Sequence, residues 1–271
     1  MRPYSRVYAT VNLDAVASNM KSMRENLPAS TLIMGSVKAD GYGHGSVPIA
    51  KTIEPYVFGY AVATIDEGII LRRHGINKTI LILGVTHESQ YEELLRYDIR
   101  TAMFQYEKAK KLSDLAVKQG KKAVVHLALD TGMSRIGMKA DREHAKEAAS
   151  IAALEGIEVE GLFTHFARAD ETDKSAYEEQ YRRYKEFLGY LEELGVQIPI
   201  RHCSNSAGIV ESLESNHMDM VRAGIAIYGM YPSDEVDHNS VKLTPAMEIK
   251  SCITYIKEIG AGTAVSYGGT F

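Results

Sequence analysis

The sequence of 271 residues has no tryptophan, only two cysteines and seven prolines. Cys203 and Cys252 lie far apart without metal-type spacing, which argues against a disulfide framework and favours a reducing, cytoplasmic setting. No apolar run is long enough to cross a bilayer, and the N-terminal residues have no signal-peptide core. The net charge of −4 comes without a basic stripe. We therefore expect a cytoplasmic globular protein with no nucleic-acid and no membrane partner.

Short apolar runs alternate with segments of helical period over most of the chain. Runs that are apolar on both faces and separated by helices form parallel sheets, so eight such units predict an α/β protein with a (β/α)8 TIM barrel. A doubly wound open sheet remains the alternative on pattern alone. The predicted strands are Leu32–Lys38, Tyr56–Thr64, Thr79–Val85, Thr101–Phe104, Ala123–Asp130, Val159–Phe166, Ile200–Asn205 and Met218–Tyr228.

Two helices are especially well marked in the sequence. The first follows Asn12, a typical N-cap residue, and repeats apolar residues every three or four positions. The second has a stripe of aromatic and leucine residues from Tyr177 to Leu194 and ends at Gly195. We interpret this stripe as a core-facing surface with a glycine C-cap, not as a cofactor-binding surface.

The character of the sequence changes after Gly229. A polar stretch with two prolines, "YPSDEVDHNSVKLTP", precedes a segment in which apolar and polar residues alternate between glycine turns. We predict a barrel domain over 1–232, a linker over 233–244, and the first strands of an incomplete β-rich C-terminal domain over 245–271. So short a segment of strands does not form a packed domain by itself.

In a barrel, functional residues collect at the C-terminal ends of the strands. Chemically useful residues lie there in the predicted fold: Lys38, Arg135, His165, Asn205, Ser206, Arg222 and Gly224. Each alone has an ordinary interpretation as a solvated loop residue, a hydrogen-bonded core histidine or a helix N-cap. Their shared position at one rim favours a functional site.

These residue types together indicate cofactor chemistry. An amine attacks a carbonyl only when it is unprotonated, and nearby cations such as Arg222 favour that form. The hydroxyls and amides of "SNSAG" and "RAGIA" suit a phosphate, because N–H groups at helix starts and glycine turns point outward unpaired. Lysine, arginine, histidine and a phosphate cradle suggest pyridoxal 5′-phosphate (PLP) held by Lys38 as a Schiff base.

Other chemistries fit the sequence less well. In "KADGYGHG" the lysine precedes the glycines, unlike a P-loop, and no GxSxG nucleophile elbow is present. A metal-dependent hydrolase is the serious alternative, because His126, His165 and His202 fall on three successive predicted strands. The first strand has no His-x-His pair, so we expect no metal site.

Six motifs, in order, resemble those of the alanine racemase family: "VKADGYGHG", "LDTGMSRIG", "GLFTHFARADE", "HCSNSAG", "MVRAGIAIYG" and "VSYGGTF". The resemblance runs from about Val7 to Phe271. It implies a PLP-binding (β/α)8 domain followed by a β-rich C-terminal domain. It also implies a homodimer with shared active sites.

The resemblance implies a role for each site residue. Lys38 would hold PLP and act as one catalytic base, and Tyr267 would act as the second base at the active site of the partner subunit. The phosphate would be held by Tyr42, Ser206 and the amides of Gly224 and Ile225, and Asn205 would also bind the cofactor. His165 would pack on the cofactor ring, and Arg222 would face the pyridine nitrogen. Arg135 would bind the substrate carboxylate.

The implied function is a PLP-dependent racemase that interconverts L- and D-alanine and supplies D-alanine for peptidoglycan. Two bases on opposite faces, Lys38 and Tyr267, would remove and return the Cα proton. The alternatives are a racemase for serine or a broader set of amino acids, and a PLP-binding protein of low activity because its C-terminal domain is truncated. A PLP-dependent barrel decarboxylase is a further alternative, against which Tyr267 and Arg222 argue.

The sequence departs from the family pattern at Ala128. Many family members have a lysine at this position, and its carbamylated form orients the active-site arginine. We therefore expect Arg135 to be oriented in another way, by a bound anion or another side chain.

Overall fold

The computed structural model describes residues 6–270. The chain divides into two compact units, of which the larger is Asn12–Ala246 and the smaller comprises the residues on either side of it. The strands are β1 (Val7–Val11), β2 (Leu32–Ser36), β3 (Gly59–Val62), β4 (Thr79–Ile82), β5 (Arg100–Met103), β6 (Ala123–Asp130), β7 (Met138–Lys139), β8 (Ile157–Phe163), β9 (Ile200–His202), β10 (Met220–Ala223) and β11 (Met247–Ser251).

Helices follow most strands of the larger unit. They are α1 (Leu13–Glu25), α2 (Lys38–Tyr42), α3 (Ser46–Ile53), α4 (Ile65–Arg73), α5 (Tyr91–Arg96), α6 (Tyr106–Lys118), α7 (Arg142–Ala152), α8 (Ser175–Glu193) and α9 (Ser206–Val210). Short 3-10 helices span Glu54–Tyr56, Glu88–Gln90, Glu214–His217, Ile225–Tyr228 and Tyr267–Gly269.

Eight parallel strands of the larger unit form the predicted TIM barrel. Their order is β10-β2-β3-β4-β5-β6-β8-β9, with the short β7 added beside β6. The amide of Arg222 on β10 donates to the carbonyl of Ser204, two residues after the end of β9, at 2.9 Å, and so brings the two edges of the sheet together. This closure distinguishes the barrel from the doubly wound sheet that the sequence pattern left open.

Side chains rather than solvent fill the barrel interior. Met34, Ala61, Leu81 and Met220, from four different strands, form one buried cluster at its centre. The strands are apolar on both faces because helices cover their outer side, which is why they appear in the sequence as continuous apolar runs. The eight predicted strands are therefore all present, and their bounds differ by a few residues at the ends.

The two helices singled out in the sequence are confirmed. The side chain of Asn12 accepts from the amide of Ala15 and caps α1. In α8 the aromatic stripe is buried, and Tyr184 and Phe187 are completely inaccessible to solvent. Gly195 follows this helix with φ of +75°, a conformation that a residue without Cβ adopts easily.

Two predicted strands end earlier than their apolar runs. The first stops at Ser36, before Lys38, because the chain then turns sharply away from the sheet. The last run divides at Gly224 into β10 and the 3-10 helix Ile225–Tyr228. Both interruptions lie at the C-terminal rim of the barrel, and they set the shape of the site described below.

In the smaller unit, β1 and β11 pair antiparallel, with Val7 opposite Ser251 and Val11 opposite Met247. The predicted linker 233–244 lies in the larger unit, where Val236 and Val241 are buried. The assignment of 245–271 to the start of a β-rich domain stays a prediction. Among residues 6–270 no helix is long and apolar enough to cross a membrane.

Candidate active site

A cavity of about 340 Å³ opens at the carboxyl ends of the barrel strands. Eight of the predicted site residues line it: Lys38, Tyr42, His165, Asn205, Ser206, Arg222, Gly224 and Ile225. Arg135 lines a smaller adjoining space of about 50 Å³, which Lys38, His165 and Arg222 also border. Tyr267 belongs to the smaller unit, where its side chain is fully exposed. The barrel thus brings nine of the ten predicted residues to one rim.

Lys38 begins a turn with left-handed backbone. Ala39, Asp40, Gly41 and Tyr42 have φ of +51°, +50°, +61° and +53° in succession. The left-handed conformation costs roughly 1–2 kcal/mol for each residue that carries a Cβ, so such a run is rare. Conformational strain of this kind persists only where surrounding contacts enforce it, and it concentrates at functional sites.

Carboxylates hold the left-handed turn from two sides. Glu67 at the start of α4 accepts from the amide of Ala39 through Oε1 and from the amide of Ala63 through Oε2, both at 2.7 Å. Asp40 accepts from the amide of Ser46, the first residue of α3, at 2.8 Å. Glu67 therefore ties the residue after Lys38 to the neighbouring βα loop and fixes where the lysine leaves the barrel wall.

An aromatic cluster supports the other end of the turn. Nδ1 of His44 lies 3.1 Å from the carbonyls of Gly41 and Tyr42. The imidazole packs on the ring of Tyr228 with centroids 4.6 Å apart, and Tyr42 packs on the same ring at 4.9 Å. Tyr228 is itself held because its hydroxyl donates to the carbonyl of Ser36 at 2.9 Å. His44 thus has a structural purpose that the sequence did not reveal.

Hydroxyl and amide groups converge on the opposite wall of the cavity. Oγ of Ser206 accepts from the amides of Gly224 at 2.9 Å and Ala226 at 3.3 Å, which leaves its own hydrogen to donate elsewhere. A Cβ added at Gly224 would lie 3.3 Å from the hydroxyl of Tyr42 and 3.5 Å from Oγ of Ser206. A side chain at position 224 would therefore press against both hydroxyls, which glycine leaves accessible.

Asn205 has a capping role in this wall. Its side-chain oxygen accepts from the amide of Gly208 and caps α9, while Nδ2 donates to the carbonyl of Phe166. The oxygen and the nitrogen of its side-chain amide are therefore both engaged within the protein. The amide of Ile225 makes no hydrogen bond with the residues the structure describes, so it is available to a ligand.

Arg222 is 4% exposed, and among residues 6–270 no carboxylate forms an ion pair with it. Its guanidinium donates to the backbone carbonyls of Thr164, His202 and Cys203 at 2.6 to 3.0 Å, and also to Nδ1 of His202 at 2.9 Å. Burial lowers its pKa to about 10, which still leaves it positively charged at neutral pH. Carbonyl dipoles and imidazole nitrogens, not an adjacent acid, thus stabilise this charge.

His165 lies between the cationic groups of the site. Burial, together with the charges of Arg222, Arg135 and Lys38, lowers its pKa to about 3. Its Nδ1 accepts from the guanidinium of Arg222 at 3.3 Å. His165 is therefore a neutral ring at physiological pH, suited to packing and not to proton transfer.

The family model for the N-terminal domain of alanine racemase matches residues 11–232. The chain belongs to the alanine racemase family. Alanine racemase of Desulforamulus reducens is 43% identical over 266 residues, which are 98% of this chain and 72% of that protein. Alanine racemase of Clostridium perfringens strain ATCC 13124 is 44% identical over 266 residues, which are 98% of this chain and 68% of that protein.

Solved structures of alanine racemases have the same fold. That of Clostridium difficile 630 has a TM-score of 0.94 and 40% identity over 100% of this chain and 71% of that chain. That of Bacillus anthracis with bound L-Ala-P has a TM-score of 0.90 and 33% identity over 100% of this chain and 70% of that chain.

The departure from the racemase pattern at Ala128 has a structural counterpart. Ala128 is 1% exposed and packs with Ala102 and Phe163 inside the barrel. Arg135 is exposed and makes no hydrogen bond or ion pair with any of residues 6–270. No side chain among residues 6–270 therefore orients this arginine, which leaves a bound anion as the other means that the sequence suggested.

Sequence reasoning missed several residues of the site. Met133 and Asp170 line the cavity, and Glu67 holds the turn behind it. Only Glu67 carried a signal, since Thr64 and Glu67 have the spacing of a capping box at a helix start. Among the described residues, no group of three or more His, Cys, Asp or Glu is arranged to hold a metal ion.

Proposed function

We propose that this chain is a PLP-dependent alanine racemase, with Lys38 as the residue that holds the cofactor. The observation that carries the proposal is the cavity at the barrel rim, which Lys38 shares with Tyr42, Ser206 and Arg222. The names of the related proteins support alanine as the substrate. Residues of the same types would be unremarkable if they were scattered over the surface, and it is their convergence that matters.

The chemistry of the cavity wall fits the proposed cofactor. Lys38, Arg135 and Arg222 supply three cationic side chains around the cavity and its adjoining space, whereas Asp170 is the carboxylate among the lining residues. This excess of positive charge suits the binding of a phosphate and a substrate carboxylate. Oγ of Ser36, which also lines the cavity, is buried and has no hydrogen-bond partner among the described residues. The open position at Gly224 between two hydroxyls completes a wall built for an anion.

Each of these groups would have one task in cofactor binding. The hydroxyls of Tyr42 and Ser206 and the amide of Ile225 would donate to the phosphate. The amide of Gly224 already donates to Ser206, so Gly224 would contribute close approach more than a hydrogen bond. His165 would offer the face of a neutral ring to the cofactor.

When bound, PLP withdraws electrons from the Cα–H bond of an attached amino acid and so makes its proton removable. Lys38 would take that proton on one face and the hydroxyl of Tyr267 would return one on the other, because racemisation needs proton donors and acceptors on opposite sides. Arg222 would face the ring nitrogen. Its guanidinium does not give up a proton, so it would leave that nitrogen unprotonated and limit side reactions. Arg135 would bind the substrate carboxylate.

A homodimer with shared active sites and a cytoplasmic location belong to the same proposal. Tyr267 is fully exposed, and Ile253, Tyr255 and Ile256 of the smaller unit are about four-fifths exposed at 81%, 77% and 80%. Large apolar side chains are normally covered in a protein's working state, so a second copy is a natural partner. The product, D-alanine, would serve peptidoglycan synthesis. The low cysteine content supports a reducing compartment.

The proposal is tested by incubating the purified chain with PLP and L-alanine in deuterated water. We expect D-alanine that carries deuterium at Cα, and no such product from Lys38→Ala. Lys51→Ala, which removes an exposed lysine of α3, serves as the matched control and should behave like the parent. Product formation that survives Lys38→Ala would contradict the assignment of Lys38.

A further inference from the structure

A chain of hydrogen bonds leads from Glu160 on β8 to Arg222. Oε2 of Glu160 on β8 lies 2.9 Å from Nε2 of His126 on β6. Nδ1 of His126 lies 2.8 Å from Nε2 of His202 on β9, and Nδ1 of His202 lies 2.9 Å from the Arg222 guanidinium. Both histidines are completely inaccessible to solvent, whereas the carboxylate end is partly exposed.

The two ends of the chain determine its direction. An arginine can only donate hydrogen bonds, and an ionised carboxylate can only accept them. Nδ1 of His202 must therefore accept from Arg222, so its proton sits on Nε2. Nε2–H of His202 therefore donates to Nδ1 of His126. His126 in turn is protonated on Nε2 and donates to Glu160. Both ends require the same tautomer of both imidazoles.

The charge states agree with this direction. Burial lowers the pKa of both histidines, so both are neutral at physiological pH. Burial acts to raise the pKa of Glu160, but the hydrogen bond from His126 and the charge of Arg100 outweigh it and lower the pKa overall. Along this series of hydrogen bonds, two neutral imidazoles thus separate Arg222 from the carboxylate of Glu160.

The surrounding backbone makes room for the chain. A Cβ at Gly161 would lie 2.4 Å from Nδ1 of His126, so any larger residue would push the ring out of line. The pairing of β6 with β8 shifts register between Val125 and His126, so that Glu160 is an extra residue of β8 with no pairing partner on β6. Arg100 braces the carboxylate at 3.4 Å and has a second partner in Asp98. The backbone and Arg100 therefore both support this series of hydrogen bonds.

We propose that Glu160 is a positioning residue for the site, acting on Arg222 through His126 and His202. By accepting the proton of His126, it holds both imidazoles in the Nε2-protonated form and keeps an acceptor directed at Arg222. The guanidinium is thereby fixed at the cavity wall without a carboxylate in contact that would cancel its charge. The consequence for cofactor affinity rests on the proposed function, whereas the proton positions do not.

The proton positions are measured first, by nitrogen-15 NMR of the imidazoles in the full chain without added cofactor. Signals are assigned with His126→Gln and His202→Gln variants. We expect both histidines to be neutral, to carry their proton on Nε2 and to show downfield N–H resonances. Protonation of either ring on Nδ1, or of both nitrogens of either ring, would overturn the proposal even if no Glu160 variant folds.

Three variants then test transmission along the chain. Glu160→Met removes the acceptor, Glu160→Gln keeps an acceptor oxygen, and Glu158→Met removes an exposed carboxylate of the same strand as the matched control. We expect Glu160→Met to shift the His202 resonance and to weaken PLP binding by about tenfold. Glu160→Gln and Glu158→Met should stay within about twofold of the parent.

Two results would contradict the transmission. A His202 resonance unchanged in Glu160→Met would show that the carboxylate does not act beyond His126. Equal effects of Glu160→Met and Glu158→Met would show a general charge effect. A shifted His202 resonance in a chain that binds no PLP would uphold the positioning role and refute the proposed function, so the two failures are distinguishable.

Discussion

The left-handed turn after Lys38 makes an unusual prediction about stability. Ala39 is exposed and has φ of +51°, so replacing it by glycine removes a strained Cβ and costs almost no packing. The relief is about 1–2 kcal/mol. Glycine also makes the unfolded chain more flexible, which offsets about 0.5–1 kcal/mol of that gain. We therefore expect Ala39→Gly to raise the free energy of unfolding by about 0.5–1 kcal/mol.

The matched control is Ala153→Gly. Ala153 is also exposed but has φ of −81°, an ordinary right-handed conformation. This change should lower the free energy of unfolding by about 0.5–1 kcal/mol, because glycine gives the unfolded chain more conformational freedom and relieves no strain in the folded state. The assay is urea denaturation of both variants and the parent under identical conditions. If Ala39→Gly destabilises the protein as much as Ala153→Gly does, the turn is not strained and the reasoning is wrong.

Three further predictions concern the cavity and its bases. Gly224→Ala should weaken PLP binding by at least about tenfold, because its Cβ would lie against the hydroxyls of Tyr42 and Ser206. In the same titration Gly189→Ala should leave binding unchanged, because a Cβ at Gly189 meets nothing within 4 Å. His165 has a folded pKa of about 3 and an unfolded value of 6.5, so the unfolded chain binds the extra proton between these pH values and acid favours unfolding. From pH 7 to pH 5 its contribution to the unfolding free energy should fall by about 2 kcal/mol, and urea denaturation of His165→Gln should show a correspondingly smaller pH dependence. Tyr267→Phe should abolish D-alanine formation while urea stability and PLP affinity stay unchanged; equal loss of PLP binding would make Tyr267 structural.

The barrel could be predicted from the sequence because its strands are buried on both sides. Residues such as Ile80 and Leu81 therefore stand in continuous apolar runs, and helical segments separate these runs regularly. The convergence of the candidate site residues could be predicted for a related reason. Once the strands are placed, topology alone brings the residues that follow them to one rim.

What could not be predicted depends on contacts between distant residues. The left-handed turn requires Glu67, which is 28 positions from Ala39, and a run with two glycines does not indicate the sign of φ. His126 and His202, which were considered as possible metal ligands, lie on the strands that the sequence predicts for them. Their actual relation is a hydrogen bond between two buried rings, and the register shift of β8 beside His126 is a feature that no sequence pattern indicates.

The central claim is that Lys38 holds PLP at the rim of the barrel. The most direct measurement is to add PLP to the purified chain, reduce with borohydride, digest, and locate the added mass by tandem mass spectrometry. We predict one labelled peptide that carries the modification on Lys38, and no label above background in Lys38→Ala. A label on another lysine, or unchanged labelling of Lys38→Ala, would contradict the account.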